Sequence, residues 1–298
     1  MGMARNFFQA QFEEKYSAIL GAEYPAFRSA CCTKEPKSIW CNSLKIAPKE
    51  LAKKMEEKGW GLAPLGLSGN AFAIEGCPTS RPGQTEGFKA GLFNLQEKAA
   101  MLPPIILNPK PGERILDAFA APGNKTLQIA CLTGNAAEIA ALEREPARLG
   151  VLKCNIRKFG MDSVDAKKID FMKFKDDGGF DKILLDAPCS SEGLVRKSLD
   201  GLEGWTQKKV LNMSKRQKKA IVRGFDLLKG GGTLVYSTCS LSLNYSGRTL
   251  RLSSRGGMPA PQRQRGRPVH CRRRYLGNLQ RFPRPGNAKL PRAAFRPE

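Results

Sequence analysis

Two cysteines, an aspartate and a lysine sit just past short apolar runs in this 298-residue chain. They belong to DAFAAPGNKT (Asp117 to Thr126), DAPCSSEG (Asp186 to Gly193) and STCS (Ser237 to Ser240). A single buried cysteine most often serves as a small hydrophobe. Cys189 and Cys239 are each flanked by small polar residues directly after an apolar run, which suits a reactive pair better than core packing. The only histidine is His270, so nothing before it can supply a Ser-His-Asp or Cys-His arrangement. Chemistry in the preceding residues must run on cysteine, carboxylate and lysine.

The elements that must position these groups read as alternating strands and helices. Predicted strands cover Ile115 to Phe119, Glu138 to Leu142, Ser163 to Ile169, Lys182 to Leu185 and Thr233 to Tyr236. Predicted helices cover Lys125 to Leu132, Pro146 to Phe159 and Val210 to Leu228, the last ended by Gly230 to Gly232. Such alternation implies a parallel sheet with helices on both faces. In an open parallel sheet, the carboxyl ends of the strands form the ligand crevice, so the three stretches can converge although distant in sequence. In the first stretch, Pro122 shapes the turn, Gly123 lets backbone approach a ligand, and free amides at the following helix start favour an anionic group. The stretch has neither the G-x-G-x-x-G nor the P-loop spacing, and alone it is equally a plain glycine turn. Glu143 ends the second strand, where doubly wound folds set an acid against ribose hydroxyls. Asp170 follows the third, and either acid is also compatible with a solvated loop charge.

The N-terminal part reads as a small α+β unit. Phe8, Phe12, Tyr16, Ile19 and Leu20 share one face of a helix over Arg5 to Leu20. An extended run follows at Ser38 to Ile46, then a helix opened by Pro48 and ended near Gly59, then a strand at Ala71 to Glu75. Pro103-Pro104 and Pro109 to Gly112 bracket the entry into the larger domain.

The chain carries a formal charge of +23 with 41% hydrophobic residues, enough for a globular core. Residues 243–298 hold 14 basic residues against Glu298 alone, leaving +10 on residues 1–242. The basic surplus in residues 1–242 alone suggests a polyanion partner. The nine cysteines form no C-x-x-C pair or zinc-ligand spacing, so reduced thiols and no metal are expected. No apolar run is long enough to span a bilayer and no targeting pattern follows Met1-Gly2, so the expectation is a cytoplasmic monomer without membrane contact.

DAFAAPGNKT, DAPCSSEG and STCS, in this order and at these separations, resemble the S-adenosylmethionine-dependent RNA cytosine-5 methyltransferases of the NOL1/NOP2/Sun family, the compact archaeal tRNA-type members above all. The resemblance covers Lys37 to Ser242. It implies a Rossmann-like class I methyltransferase sheet preceded by a small α+β domain that faces RNA. It also implies S-adenosyl-L-methionine as cofactor, held by Phe119, Ala120, Ala121, Pro122, Gly123, Asn124, Lys125, Glu143, Arg148, Asp170 and Asp186. The catalytic set carried over is Cys239 attacking carbon 6 of cytosine, Cys189 assisting elimination, Asp186 holding the base near ring nitrogen 3, and Lys125 positioned beside Asp186. The expected partner is RNA, with tRNA ahead of rRNA.

Three other readings compete. Adenine amino-group methylation uses [DN]-P-P-[YFW] where this chain has DAPC, and DNA cytosine methylation shows Pro-Cys-Gln where it has Pro188-Cys189-Ser190. The third is a noncatalytic RNA-binding relative that keeps the fold. The expected division is 1–90 accessory, 91–242 methyltransferase and 243–298 an atypical basic tail. The family's Pro-Glu-Glu-Asn-Glu pattern is missing after Ser242, and basic usage turns from 26 Lys and 10 Arg before residue 243 to 1 Lys and 13 Arg after it. Translation in a shifted frame would produce such an inversion; an Arg-rich RNA-binding tail is the other account.

Overall fold

The computed structural model describes residues 8–79, 81–196, 202–242 and 250–253. The elements in chain order are α1 (Ala10–Leu20), α2 (Tyr24–Cys32), β1 (Ser38–Cys41), α3 (Pro48–Glu56), β2 (Gly61–Pro64), β3 (Ala71–Gly76), α4 (Glu86–Lys89), β4 (Phe93–Leu95) and α5 (Lys98–Leu107). They continue with β5 (Arg114–Asp117), α6 (Asn124–Leu132), β6 (Glu138–Glu143), α7 (Pro146–Phe159), β7 (Val164–Lys168), β8 (Phe180–Asp186), α8 (Gln207–Asp226), β9 (Leu228–Ser237) and β10 (Leu250–Ser253).

The larger sheet has the order β10-β9-β8-β5-β6-β7. Strands β5 to β9 run parallel, and β10 pairs antiparallel with β9 from Leu250 opposite Tyr236. The chain steps from β5 outward to β7, then returns to β8 on the other side of β5. That reversal is the switch point at which α/β sheets open a crevice. Alternate residues of each strand feed two cores because both faces are covered. Ile115, Ile139, Leu184 and Val235 pack with α6 and α7 on one face. Leu116, Leu142, Ile183 and Leu234 pack with Phe171, Phe174 and Ala220 on the other.

Several boundaries depart from the sequence reading. Helix α8 stops at Asp226 and β9 begins at Leu228, so Gly230 to Gly232 lie in the strand rather than ending the helix. The expected extended run to Ile46 stops at Cys41. The small sheet is antiparallel, ordered β2-β3-β1-β4. Strands β2 and β4 escaped detection because one is an edge strand containing Gly61 and Pro64 and the other has three residues. Helix α2 also went unseen. The aromatic face of α1 packs away from the small sheet: Phe12 meets Trp205 edge-on, at 5.4 Å between ring centres, in a core shared with Val195 and Val210. Ile19, assigned to that face, is 47% exposed.

Pro103 and Pro104 lie inside α5 rather than in a linker. Pro104 has no N–H, so the helix leaves the Ala100 carbonyl without its usual donor. Gln96 Nε2 takes that place at 2.7 Å, and donates also to Gln128 Oε1 at 3.1 Å. Its Oε1 accepts from Trp40 Nε1 at 2.8 Å. Gln96 thus joins the small sheet, α5 and α6 through one buried amide. Replacing Gln96 by Leu keeps the bulk but leaves three buried polar groups without this partner, so unfolding free energy should fall by about 3 kcal/mol. Urea titration with a loss under about 1 kcal/mol would contradict this role for Gln96.

Candidate active site

The first loop is built on Asp117, the last residue of β5. Its carboxylate is wholly buried and accepts from Thr126 Oγ1 at 2.6 Å, tying the strand end to α6. Burial pushes the Asp117 carboxyl up to about 6; the Thr126 hydroxyl opposes this, and the nearby Asp186 charge adds to it. The loop is pinned on either side, with Ala118 N donating to Leu184 O and Ala120 N to Leu142 O. Gly123 has φ +114°, a backbone conformation that side-chain-bearing residues rarely adopt, so glycine is required there; a Cβ would also press on the tip of Leu152, at 2.9 Å from Cδ1. Ala100, Asp117, Phe119, Ala120, Ala121, Pro122, Asn124, Lys125 and Asp186 line one cleft at the switch point.

The remaining acids stand at neighbouring strand ends, outside that lining. Glu143 is buried at the end of β6, accepting from Glu145 N at 2.9 Å and lying 3.3 Å from Arg148 Nη1. Arg148 Nη2 donates to Ala121 O at 2.5 Å, linking the acid to the first loop. Asp170 lies just past β7 and caps the turn Phe171–Lys173 by accepting from Met172 N at 2.9 Å. Phe119 and Phe171 meet edge-on at 5.5 Å, which brings that turn against the first loop.

Asp186 ends β8 between two donors. Lys125 Nζ reaches Oδ2 at 2.5 Å, and Ser237 Oγ reaches Oδ1 at 2.8 Å. The register of β8 with β9 sets Asp186 opposite Ser237, so the loops after these strands start side by side. Cys189 and Cys239 follow on those loops with Cα atoms 6.4 Å apart, their sulfurs joined in a disulfide. The sequence leads to an expectation of reduced thiols, whereas these two are paired; each is half-buried, on the loop that follows Asp186 or its partner Ser237. Sequence reasoning named the cysteines, Asp186 and Lys125. It passed over Ser237 as a partner of Asp186, although the residue opens STCS, and over the Asp117–Thr126 brace.

Residues 104–250 match the family described as 16S rRNA methyltransferase RsmB/F, and residues 8–98 match the N-terminal domain of 16S rRNA methyltransferase RsmF. The chain belongs to the RsmB/F family. The family match runs from residue 8 and extends to residue 250, so the likeness is wider than Lys37 to Ser242. Ribosomal RNA small subunit methyltransferase F of Vibrio parahaemolyticus serotype O3:K6 is 41% identical over 241 residues, covering 78% of this chain and 50% of that protein. The Klebsiella pneumoniae (strain 342) protein of the same name is 40% identical, over 78% of this chain and 51% of its own length. The chain thus spans about half the length of these curated relatives. A methyltransferase homolog protein from Pyrococcus horikoshii superposes with TM-score 0.72 at 31% identity, over 80% of this chain and 75% of that one. NSun6 from the same organism, solved with SFG, has the same TM-score at 23% identity, covering 80% of this chain and 84% of that one, a likeness of fold. The names of these two relatives specify small-subunit ribosomal RNA. Among the described residues, no helix is long and apolar enough to cross a membrane. Most of the basic tail lies outside the described residues, apart from β10.

The buried Asp117 gives this RsmB/F chain a pH signature. A carboxyl with a higher folded than unfolded pKa makes the native state bind more protons, so stability falls as pH rises from about 4 to about 6 and stays lower above. Asp117→Asn should flatten that fall, worth at most about 3 kcal/mol across the window. Urea unfolding at pH 4, 5, 6 and 7 reads the effect; an unchanged slope would contradict a raised Asp117.

Proposed function

We propose that this chain methylates carbon 5 of cytosine in small-subunit ribosomal RNA, using S-adenosylmethionine and a covalent cysteine adduct. The observation that carries the reading is the meeting of Cys189 and Cys239 on the loops that follow Asp186 and its partner Ser237, with Lys125 bonded to the Asp186 carboxylate. The loop beside the neighbouring cleft and the acids at the strand ends next to it fit the cofactor. Gly123 leaves the loop backbone bare, and Glu143 offers a buried acceptor to ribose hydroxyls. Asp170 stands at the next strand end for the adenine. S-adenosylmethionine supplies the electrophilic methyl group.

Cytosine carbon 5 is a poor nucleophile until carbon 6 is saturated. The Cys239 thiolate adds to carbon 6, and the electron pair of the ring double bond moves to make carbon 5 nucleophilic. Asp186 holds the base near ring nitrogen 3, stabilising the adduct, and Lys125 keeps Asp186 in place. After carbon 5 accepts the methyl group, it loses its proton with help from Cys189. The carbon–sulfur bond then breaks, returning Cys239 as thiolate. Lys208, Lys209, Lys215, Arg216, Lys218 and Lys219 form an exposed basic face on α8 suited to an RNA backbone.

The decisive assay incubates the protein with labelled S-adenosylmethionine and small-subunit ribosomal RNA, then digests the RNA to nucleosides. Label in 5-methylcytosine is expected; label in N6-methyladenosine, or RNA binding without transfer, overturns the reading. Cys239→Ala should abolish transfer, whereas Cys189→Ala should methylate once and stay on RNA as a complex stable to denaturing electrophoresis. Trapping by Cys239→Ala instead would exchange the two roles. Glu143→Ala should weaken S-adenosylmethionine by about 10- to 100-fold, the equivalent of one charged hydrogen bond, in calorimetric titration. Unchanged affinity would remove Glu143 from the cofactor site.

A further inference from the structure

Outside the residues assigned so far, one fully buried acid ties the two cysteine loops together. Glu192 lies three residues after Cys189 and has no exposed surface. Its Oε2 accepts from the Ser240 hydroxyl, from Leu241 N at 3.1 Å and from Ser242 N at 3.1 Å. Its Oε1 accepts from Trp205 Nε1 at 2.7 Å and lies 3.6 Å from Lys15 Nζ. Lys15, on α1, also donates to Ser242 Oγ at 2.8 Å. Burial pushes the Lys15 ammonium down in pKa, and the Glu192 charge opposes that. The next residue joins the loops again: Gly193 N donates to Cys239 O at 2.6 Å, and a Cβ at position 193 would collide with that carbonyl.

We infer that Glu192 is a positioning residue that sets Cys239 against Cys189, with Lys15 completing the arrangement from the N-terminal helix. Three donors following Cys239 end on a single carboxylate oxygen. Without it, three of the hydrogen bonds that hold the loop after β9 to the loop after β8 are lost. A carboxylate is required because it only accepts. An amide at this position points its NH2 either at Ser240, Leu241 and Ser242 or at Trp205 and Lys15, and both orientations set donor against donor. Glu192→Gln therefore changes almost no volume and reverses the polarity of one side. Displacements of about 1 Å in a reacting group are enough to slow chemistry by roughly 100-fold.

The inference rests on the proposed pairing of Cys239 with Cys189, so its test reads their separation without needing catalysis. Dibromobimane bridges two close thiols and fluoresces once both arms have reacted. The reduced full-length protein should give a fluorescent product joining the Cys189 and Cys239 peptides by mass mapping, and Cys189→Ser should lose it. Glu192→Gln should form that product at least about fivefold more slowly and lower kcat for methyl transfer by roughly 100-fold, with S-adenosylmethionine affinity and RNA KM within about twofold. Lys15→Met should fall between. Bridging and kcat both within about twofold of the unsubstituted protein would overturn the inference, as would failure of the unsubstituted protein to bridge this pair. If Glu192→Gln fails to bind S-adenosylmethionine and so reports misfolding, Ser240→Ala removes a single donor, and unchanged bridging there overturns it equally. If the unsubstituted protein transfers no methyl group, the proposed function fails while the bridging result still decides the role of Glu192.

Discussion

The order β9-β8-β5-β6-β7 brings the carboxyl ends of five parallel strands into one row, and the candidate site depends on that row. Crossing back past β5 sets the Asp117 loop beside the Asp186 loop, and the next strand adds the Cys239 loop. The Lys125–Asp186 pair spans the reversal itself, between the first residues of α6 and the end of β8. Both side chains are partly exposed, so screening leaves the pair little weight in stability. Its consequence is geometric: a lysine that holds one carboxylate oxygen while Ser237 holds the other leaves Asp186 one orientation.

The inner strands β5, β6 and β8 and the second half of β9 were legible in the sequence because burial on both faces makes them short, nearly continuous apolar runs. The three reactive stretches were legible because each starts where such a run stops. Strands β2 and β4 were hidden by their length and composition, and α5 by Pro103 and Pro104, whose disruption of the helix is offset by Gln96, a residue outside it. Glu143 could be placed from its position at a strand end, but its link through Arg148 to Ala121 O could not, since nothing in spacing reveals a side chain reaching 27 residues back.

The small sheet and the two N-terminal helices attach to the larger sheet in different ways, although they are consecutive in the chain. The sheet is joined by buried amides: Gln96 to α5 and α6, and Asn42 Nδ2 to the Phe159 carbonyl at 3.0 Å. Helix α1 instead brings its aromatic face to Trp205 and its lysine to Glu192. Separating the sheet would expose an apolar layer and polar groups at the back of α6, whereas displacing α1 would uncover the charge beneath the cysteine loops.

A buried ion pair is a poor means of gaining stability, since withdrawing both charges from water costs several kcal/mol per ion before any attraction returns it. An apolar side chain in place of Glu192 would avoid that penalty but would leave the Leu241 and Ser242 amides, the Trp205 indole and the Lys15 ammonium without their acceptor. What the carboxylate provides is a single geometry. Its two oxygens serve different sets of donors, so rotating or shifting it breaks several hydrogen bonds together. The same reasoning separates Glu192 from Asp117, the other fully buried acid at this end of the sheet. Among the described residues Asp117 has Thr126 as its one side-chain donor and is driven toward its protonated form, whereas Glu192 gathers donors from α1, from Trp205 and from the loop that carries Cys239.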